Sequence, residues 1–158
     1  IESSAASDVY KRQGIIIPDL PLEETTQFSQ IANDFNLDLV LLIAPTTPLG
    51  RMKEISTRTK GFSYLVSVTG VTGERNKLEN RVENLIGQLK EISSNPIAVG
   101  FGISSPEHII KVRKWGADGV IIGSAFVKRI SDSNDSQIVN EVGKFCSEMR
   151  SAADEFLD

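Results

Sequence analysis

Five short apolar runs begin near residues 14, 39, 62, 97 and 120, and each is followed by a segment of helix length. This spacing constrains the fold more than any other feature of the chain. A strand–helix repeat of roughly twenty-five residues is the signature of parallel α/β architecture, because a parallel pair needs a crossover, usually a helix. The runs are apolar at successive positions, as strands buried between layers are. A closed (β/α)8 barrel takes ~250 residues. The 158 residues here hold five units, so the expected fold is a (β/α)8 barrel of which only the last five βα units are present.

Taken in order, Gly14–Ile17 is stopped by Pro18-Asp19-Leu20-Pro21, a rigid turn. Glu23 and Glu24 read as helix-start charges, and Phe28, Ile31, Ala32 and Phe35 follow at helical spacing. Leu39–Ile43 is the next strand. Thr47-Pro48 reads as a helix cap followed by a first-turn proline, with Leu49, Met52 and Ile55 as the stripe behind it. Phe62–Val66 is the third strand. The loop Ser67–Lys77 after it carries about ten residues more than the other units, on the side where barrel enzymes build their sites. Leu78, Val82, Leu85, Ile86 and Leu89 mark the next helix. Ser104-Ser105-Pro106-Glu107 starts the one that Gly116 ends, and Ser124 starts a short one to about Ile130. Ile138, Val142, Phe145, Cys146 and Met149 mark the last.

Other features narrow the function classes. A net charge of −4 and a pI near 5.1 argue against nucleic acid or an anionic membrane as the main partner. Cys146 is the single cysteine, which excludes an internal disulfide; on the apolar face of its helix it is expected to be core. His108, the single histidine, falls in a helix first turn and is expected to be solvated, so no metal site is expected. Residues 1–13 are set apart, since Ser3–Gln13 (SSAASDVYKRQ) matches the in-frame translation of a transposase sequencing adapter. Asp8 and Tyr10 are therefore expected to carry no chemistry. Residues 14–158 are expected to be the carboxyl-terminal part of a single barrel domain.

The stretch Ala98–Lys128 holds the main functional signal. Gly100-Phe101-Gly102 ends one strand and Gly123-Ser124 ends the next, one strand–helix–strand unit later. Glycines let backbone approach a ligand, and a helix amino end presents N–H groups and partial positive charge. Either turn alone is explained by strand termination. The pair points to a phosphate cradle of the kind formed after the last two strands of a barrel. Asp19, at a strand's carboxyl end, is placed where a general base could sit.

Pro18-Asp19-Leu20-Pro21-Leu22-Glu23-Glu24, Gly61-Phe62-Ser63-Tyr64, Thr69-Gly70-Val71-Thr72-Gly73, Gly100-Phe101-Gly102-Ile103-Ser104 and Gly123-Ser124-Ala125 occur in an order and spacing that resembles the alpha subunit of tryptophan synthase. The resemblance covers Gly14 to about Ala153. It implies a barrel lyase that cleaves indole-3-glycerol phosphate to indole and glyceraldehyde 3-phosphate in tryptophan biosynthesis. It further implies that backbone N–H groups of Gly73, Gly102 and Gly123-Ser124 hold the phosphate, with the Ser124 hydroxyl as an added donor. Tyr64 matches a pocket tyrosine, although a core aromatic is the other reading of it. Thr72 matches a threonine of a closing loop, and Phe101 is expected near the indole or the phosphate turn. Leu42 and Ile121 fit either the same pocket or the core.

The resemblance also implies what the chain lacks. The family's catalytic glutamate and aspartate lie before the first strand present, so no catalytic residue is assigned, and Asp19 has no catalytic counterpart. Val68 stands where some members carry an arginine, which bears on how the loop is tied down. No cofactor is expected, since pyridoxal phosphate belongs to the partner beta subunit of an alpha2-beta2 assembly. Asp19-Leu20-Pro21 falls near that contact. The expected location is the bacterial cytoplasm, or the plastid stroma of a plant. Two alternatives accompany this reading: a non-catalytic module that binds the beta subunit, and another phosphate-binding barrel enzyme.

Overall fold

The computed structural model describes residues 11–67, 75–100 and 102–155. The repeat is present as read. The chain runs β1 (Gly14–Ile16), a 3-10 turn (Leu22–Glu24), α1 (Thr25–Asp34), β2 (Asp38–Val40), β3 (Leu42–Ile43), α2 (Leu49–Arg58) and β4 (Ser63–Val66). It continues with α3 (Arg75–Ile92), β5 (Ile97–Gly100), α4 (Pro106–Lys114), β6 (Gly119–Ile121), α5 (Ser124–Asp132) and α6 (Ile138–Asp154). All described pairings are parallel: β1 with β2, then β3-β4-β5-β6 in sequence order.

The run 38–43 serves two neighbours. Its first half pairs with β1 and its second with β4. At the changeover, the Thr59 hydroxyl oxygen accepts the Leu41 N–H at 2.9 Å, and Leu41 O accepts from the Tyr64 N–H at 3.3 Å. Thr59 is itself buried, so this side chain meets a backbone donor that would otherwise be stranded in the core.

Register gives the sheet two different faces. Ile43, Leu65 and Val99 lie side by side and are fully buried, sealed in one cluster with Met52, Ile86, Leu89 and Ile109 of the helices. Each such side chain contributes about 1.5–3 kcal/mol of burial. On the other face Leu42, Tyr64 and Ala98 align, followed by Val66, Gly100 and Ile121. Leu42, Val66, Ala98 and Ile121 are only half-buried there, because the helices of the five units pack on one face of the sheet and leave the other, the inner face of a barrel, partly open. The outer strand β1 is exposed throughout, with Ile15 and Ile16 showing 40% and 39% of their surface.

Several local expectations change. Thr47 does not cap α2, because extended Pro48 is the N-cap residue; instead Thr47 closes a tight turn, its hydroxyl accepting the Ala44 N–H at 3.0 Å. The apolar stripe of α1 is largely uncovered: Phe28, Ile31 and Phe35 are exposed, and Ala32 and Thr25 are what it buries. Cys146 is exposed, since the buried stripe of α6 is Phe145, Met149 and Ala152, and Cys146 lies one position off it. The start and end of α4 agree with the sequence reading: Ser105 is its N-cap, Pro106 opens it, and Gly116 follows it with a φ of +97°.

Candidate phosphate and pocket site

Parallel pairing in register carries the carboxyl ends of β4, β5 and β6 to one rim of the sheet. Gly100 pairs with both Val66 and Ile121, so the turns after β5 and β6 leave from adjacent strands. Gly102 has a φ of +78°, a left-handed conformation that a side chain would strain. Gly123 is the N-cap of α5, and its carbonyl accepts from the N–H groups of Phe126 (2.9 Å) and Val127 (3.2 Å). Ser124 therefore occupies the first position of the helix, where backbone N–H groups have no intrahelical acceptor. Both Gly123 and Ser124 are exposed, and a Cβ added at Gly123 would meet nothing within 4 Å. An anion thus has open access to a helix amino end.

Tyr64 stands on the half-open face with 9% of its surface exposed, and burial pushes its phenol above the ordinary value of 10.0. Its ring lies 6.5 Å from that of Phe62, tilted by 45°. Gly100 seats it: a Cβ there would overlap the Tyr64 ring and hydroxyl. Ser67 then ties the strand ends together, donating from both its N–H and its hydroxyl to Gly100 O at 2.8 Å each. Gly100 and Ser67 were not singled out as pocket residues by sequence. A glycine at a strand end signals a close approach, but not to which side chain.

The other sequence candidates divide clearly. Leu42 and Ile121 are on the same face as Tyr64. Thr72, Gly73, Phe101 and Val68 lie outside the described residues. Asp19 is exposed on its turn beside a cavity of about 330 Å³ lined by Ile17, Pro18, Leu20, Leu42 and Thr47. His108 departs from expectation: it is half-buried, and its Nδ1 accepts the Ser104 N–H at 3.3 Å, so it helps hold the loop after β5. Glu107, next to it, is held below the usual carboxylate range first by hydrogen bonding to Ser105 at the helix start. Among the described residues no group of three or more His, Cys, Asp and Glu is placed to hold a metal ion.

With this geometry in view, the comparisons with known proteins are decisive. The family model described as "Tryptophan synthase alpha chain" matches residues 5–154. The chain belongs to the tryptophan synthase alpha chain family. That match begins inside the segment 1–13 set apart above. A tryptophan synthase alpha chain of Prochlorococcus marinus subsp. pastoris is 74% identical over 142 residues, covering 90% of this chain and 51% of the relative. One from a second Prochlorococcus marinus strain is 63% identical over 139 residues, covering 88% and 52%. Among solved structures, a mutant tryptophan synthase alpha-subunit from the hyperthermophile Pyrococcus furiosus superposes with a TM-score of 0.77 at 35% identity, covering 93% of this chain and 58% of the other. A tryptophan synthase complex from the same organism gives 0.74 at 32% identity, covering 92% and 57%. The chain spans about half the length of the curated relatives it matches. The fold of the family is the (β/α)8 barrel, and the five parallel units here are a part of it.

Proposed function

We propose that this chain is the phosphate-anchoring and partner-facing part of an alpha subunit that cleaves indole-3-glycerol phosphate to indole and glyceraldehyde 3-phosphate. The observation that carries the reading is the pair of adjacent turns at Gly102 and Gly123-Ser124, beside Tyr64 on one half-open face. Backbone N–H groups and the Ser124 hydroxyl hold the phosphate, aided by the dipole of α5. By the family resemblance, Gly73 is assigned as a third arm, Thr72 as a residue of the closing loop, and Phe101 to the neighbourhood of the indole or the phosphate turn; all three lie outside the described residues. Tyr64, Leu42 and Ile121 form the wall for the indole. Binding energy from the phosphate, remote from the bond that breaks, positions the reacting carbon.

The acid and base of the retro-aldol step are a glutamate and an aspartate that come before β1 in the family. The glutamate moves protons at the side-chain hydroxyl and the indole carbon. The aspartate stabilises the positive charge that builds on the ring. No residue of this chain takes either role, Asp19 included. Pyridoxal phosphate belongs to the beta subunit, which docks on the turn Asp19-Leu20-Pro21 in an alpha2-beta2 assembly. No helix among the described residues is long and apolar enough to cross a membrane, and the cyanobacterial relatives favour the cytoplasm as the site of action.

Indole release from indole-3-glycerol phosphate tests the reading. The chain alone is expected to release none above background. Turnover by the chain alone would place an acid and a base within it and overturn the assignment. Retention of this chain on an immobilised Prochlorococcus beta subunit is expected, and its absence would remove the partner from the proposal.

A further inference from the structure

Two arginines of α2, neither singled out by sequence, reach across to the turn that follows β1. Arg58 Nη1 donates to Leu22 O at 2.7 Å and to the Thr25 hydroxyl oxygen at 3.1 Å. That hydroxyl donates in turn to Leu22 O at 2.7 Å, and Thr25 is fully buried. One guanidinium therefore grips a backbone carbonyl and the hydroxyl beside it, closing a three-membered ring of hydrogen bonds. About two helical turns earlier, Arg51 pairs both terminal nitrogens with both oxygens of Glu23, at 2.8 and 3.2 Å. This second grip is exposed, with side-chain exposures of 46% and 66%. It adds orientation rather than stability. Among the described residues, the backbone bonds of the turn itself are short-range: Leu20 N–H to Ile17 O at 3.2 Å and Glu24 N–H to Pro21 O at 3.0 Å.

We propose that Arg58, seconded by Arg51, is the positioning residue that presents the exposed Pro18–Pro21 turn to the beta subunit. The inference rests on the docking reading given under the proposed function. Pro18 and Pro21 stiffen the turn internally, but they do not fix its angle to the sheet. The contacts from α2 to Leu22 and Glu23 do, because they tie the turn's far end to the unit of the neighbouring strand. Rigid presentation lowers the ordering cost of association. Nη1 serves both acceptors with its two hydrogens held in the guanidinium plane, which a lysine ammonium on a flexible stem reproduces only in part.

The test uses the whole 158-residue chain in three forms: unchanged, Arg58→Met and Arg58→Lys. Two readouts are taken on each: amide exchange at Leu20 and Glu24, with Leu65 and Val99 as core controls, and affinity for a Prochlorococcus beta subunit. Arg58→Met is expected to speed exchange at Leu20 and Glu24 about tenfold, the equivalent of one good hydrogen bond. Core exchange stays unchanged and beta-subunit affinity falls by a similar factor. Arg58→Lys is expected to restore about half of both effects on a logarithmic scale. Thr25→Val, which keeps the volume and removes the hydroxyl, is expected to loosen the same two amides. Unchanged exchange at the turn in Arg58→Met and Thr25→Val overturns the clamp. Faster exchange with undiminished affinity overturns the presenting role. If the unchanged chain does not bind the beta subunit, the docking reading fails and the presenting role fails with it, whereas the exchange data still decide the clamp.

Discussion

Leu65 and Tyr64 are neighbours in β4, yet Leu65 is sealed among helices while Tyr64 lines a half-open face. The same split runs through β3 and β5, where Ile43 and Val99 are covered and Leu42 and Ala98 are not. One face stores the stability of the chain, and the other is left with shape and access. Register sorts the side chains onto the two faces, since they alternate and each parallel pairing keeps the alternation in step, and the helices packed on one face decide which set is covered.

Truncation should expose this division most strongly. Leu65→Ala is expected to cost about 2–5 kcal/mol in denaturant unfolding, as a large-to-small change at a fully buried site. Leu42→Ala, half-buried, is expected to cost about half of that or less. Equal costs would mean that the two faces are not energetically distinct.

Adding volume should act on the open face through a single contact. Gly100→Ala is expected to destabilise by about 1–3 kcal/mol, because the new methyl overlaps Tyr64 and one of the two must move. Near-ultraviolet circular dichroism of the tyrosine reports that movement. An unchanged signal would show that Tyr64 is not seated by Gly100.

Ser124→Ala separates binding from folding. Ser124 is exposed, so unfolding should hardly change, while affinity for a phosphate-bearing substrate should fall about five- to tenfold, by calorimetric titration. A loss of stability without a loss of affinity would return this turn to a purely structural role.

The smallest effect concerns the Tyr64 phenol. Burial raises its pKa in the folded chain above 10.0, so the unfolded chain gives up its proton first as pH rises. Any stability tied to the neutral phenol is therefore present below pH 10 and is lost progressively above it. Tyr64→Phe is expected to flatten that alkaline decline in a pH series of unfolding curves, and an unchanged slope would contradict the burial of this group.

Much of the scaffold was legible because strand runs and helix stripes are local patterns. Runs expected near residues 14, 39, 62, 97 and 120 appear as strands starting at 14, 38, 63, 97 and 119, and Ser105-Pro106 and Gly116 bound α4 as their conformational preferences require. The faces were not legible. Leu42 and Leu65 are the same residue type in similar runs, and only the helices packed on one face decide which is covered. Phe28, Ile31 and Phe35 failed for the same reason: the stripe is real, but among the described residues little covers it. Cys146 shows the limit of a helical pattern at its edge, where one position decides between core and solvent. The clamp of Arg51 and Arg58 could not be read at all, since it joins residues 28 to 36 positions apart through side-chain geometry. The Gly102 and Gly123-Ser124 turns could be read as turns, because glycines at strand ends carry a local backbone reason: Gly102 takes a φ of +78° and Gly123 is the N-cap of α5.

The central claim is that this chain anchors the substrate's phosphate and lacks the groups that break its bond. Titrating isotope-labelled chain with indole-3-glycerol phosphate while following amide and ligand resonances tests both halves together. The account predicts shifts concentrated at Gly102, Gly123 and Ser124, with the substrate intact throughout. Accumulating indole, or shifts that leave these three amides untouched, would contradict it.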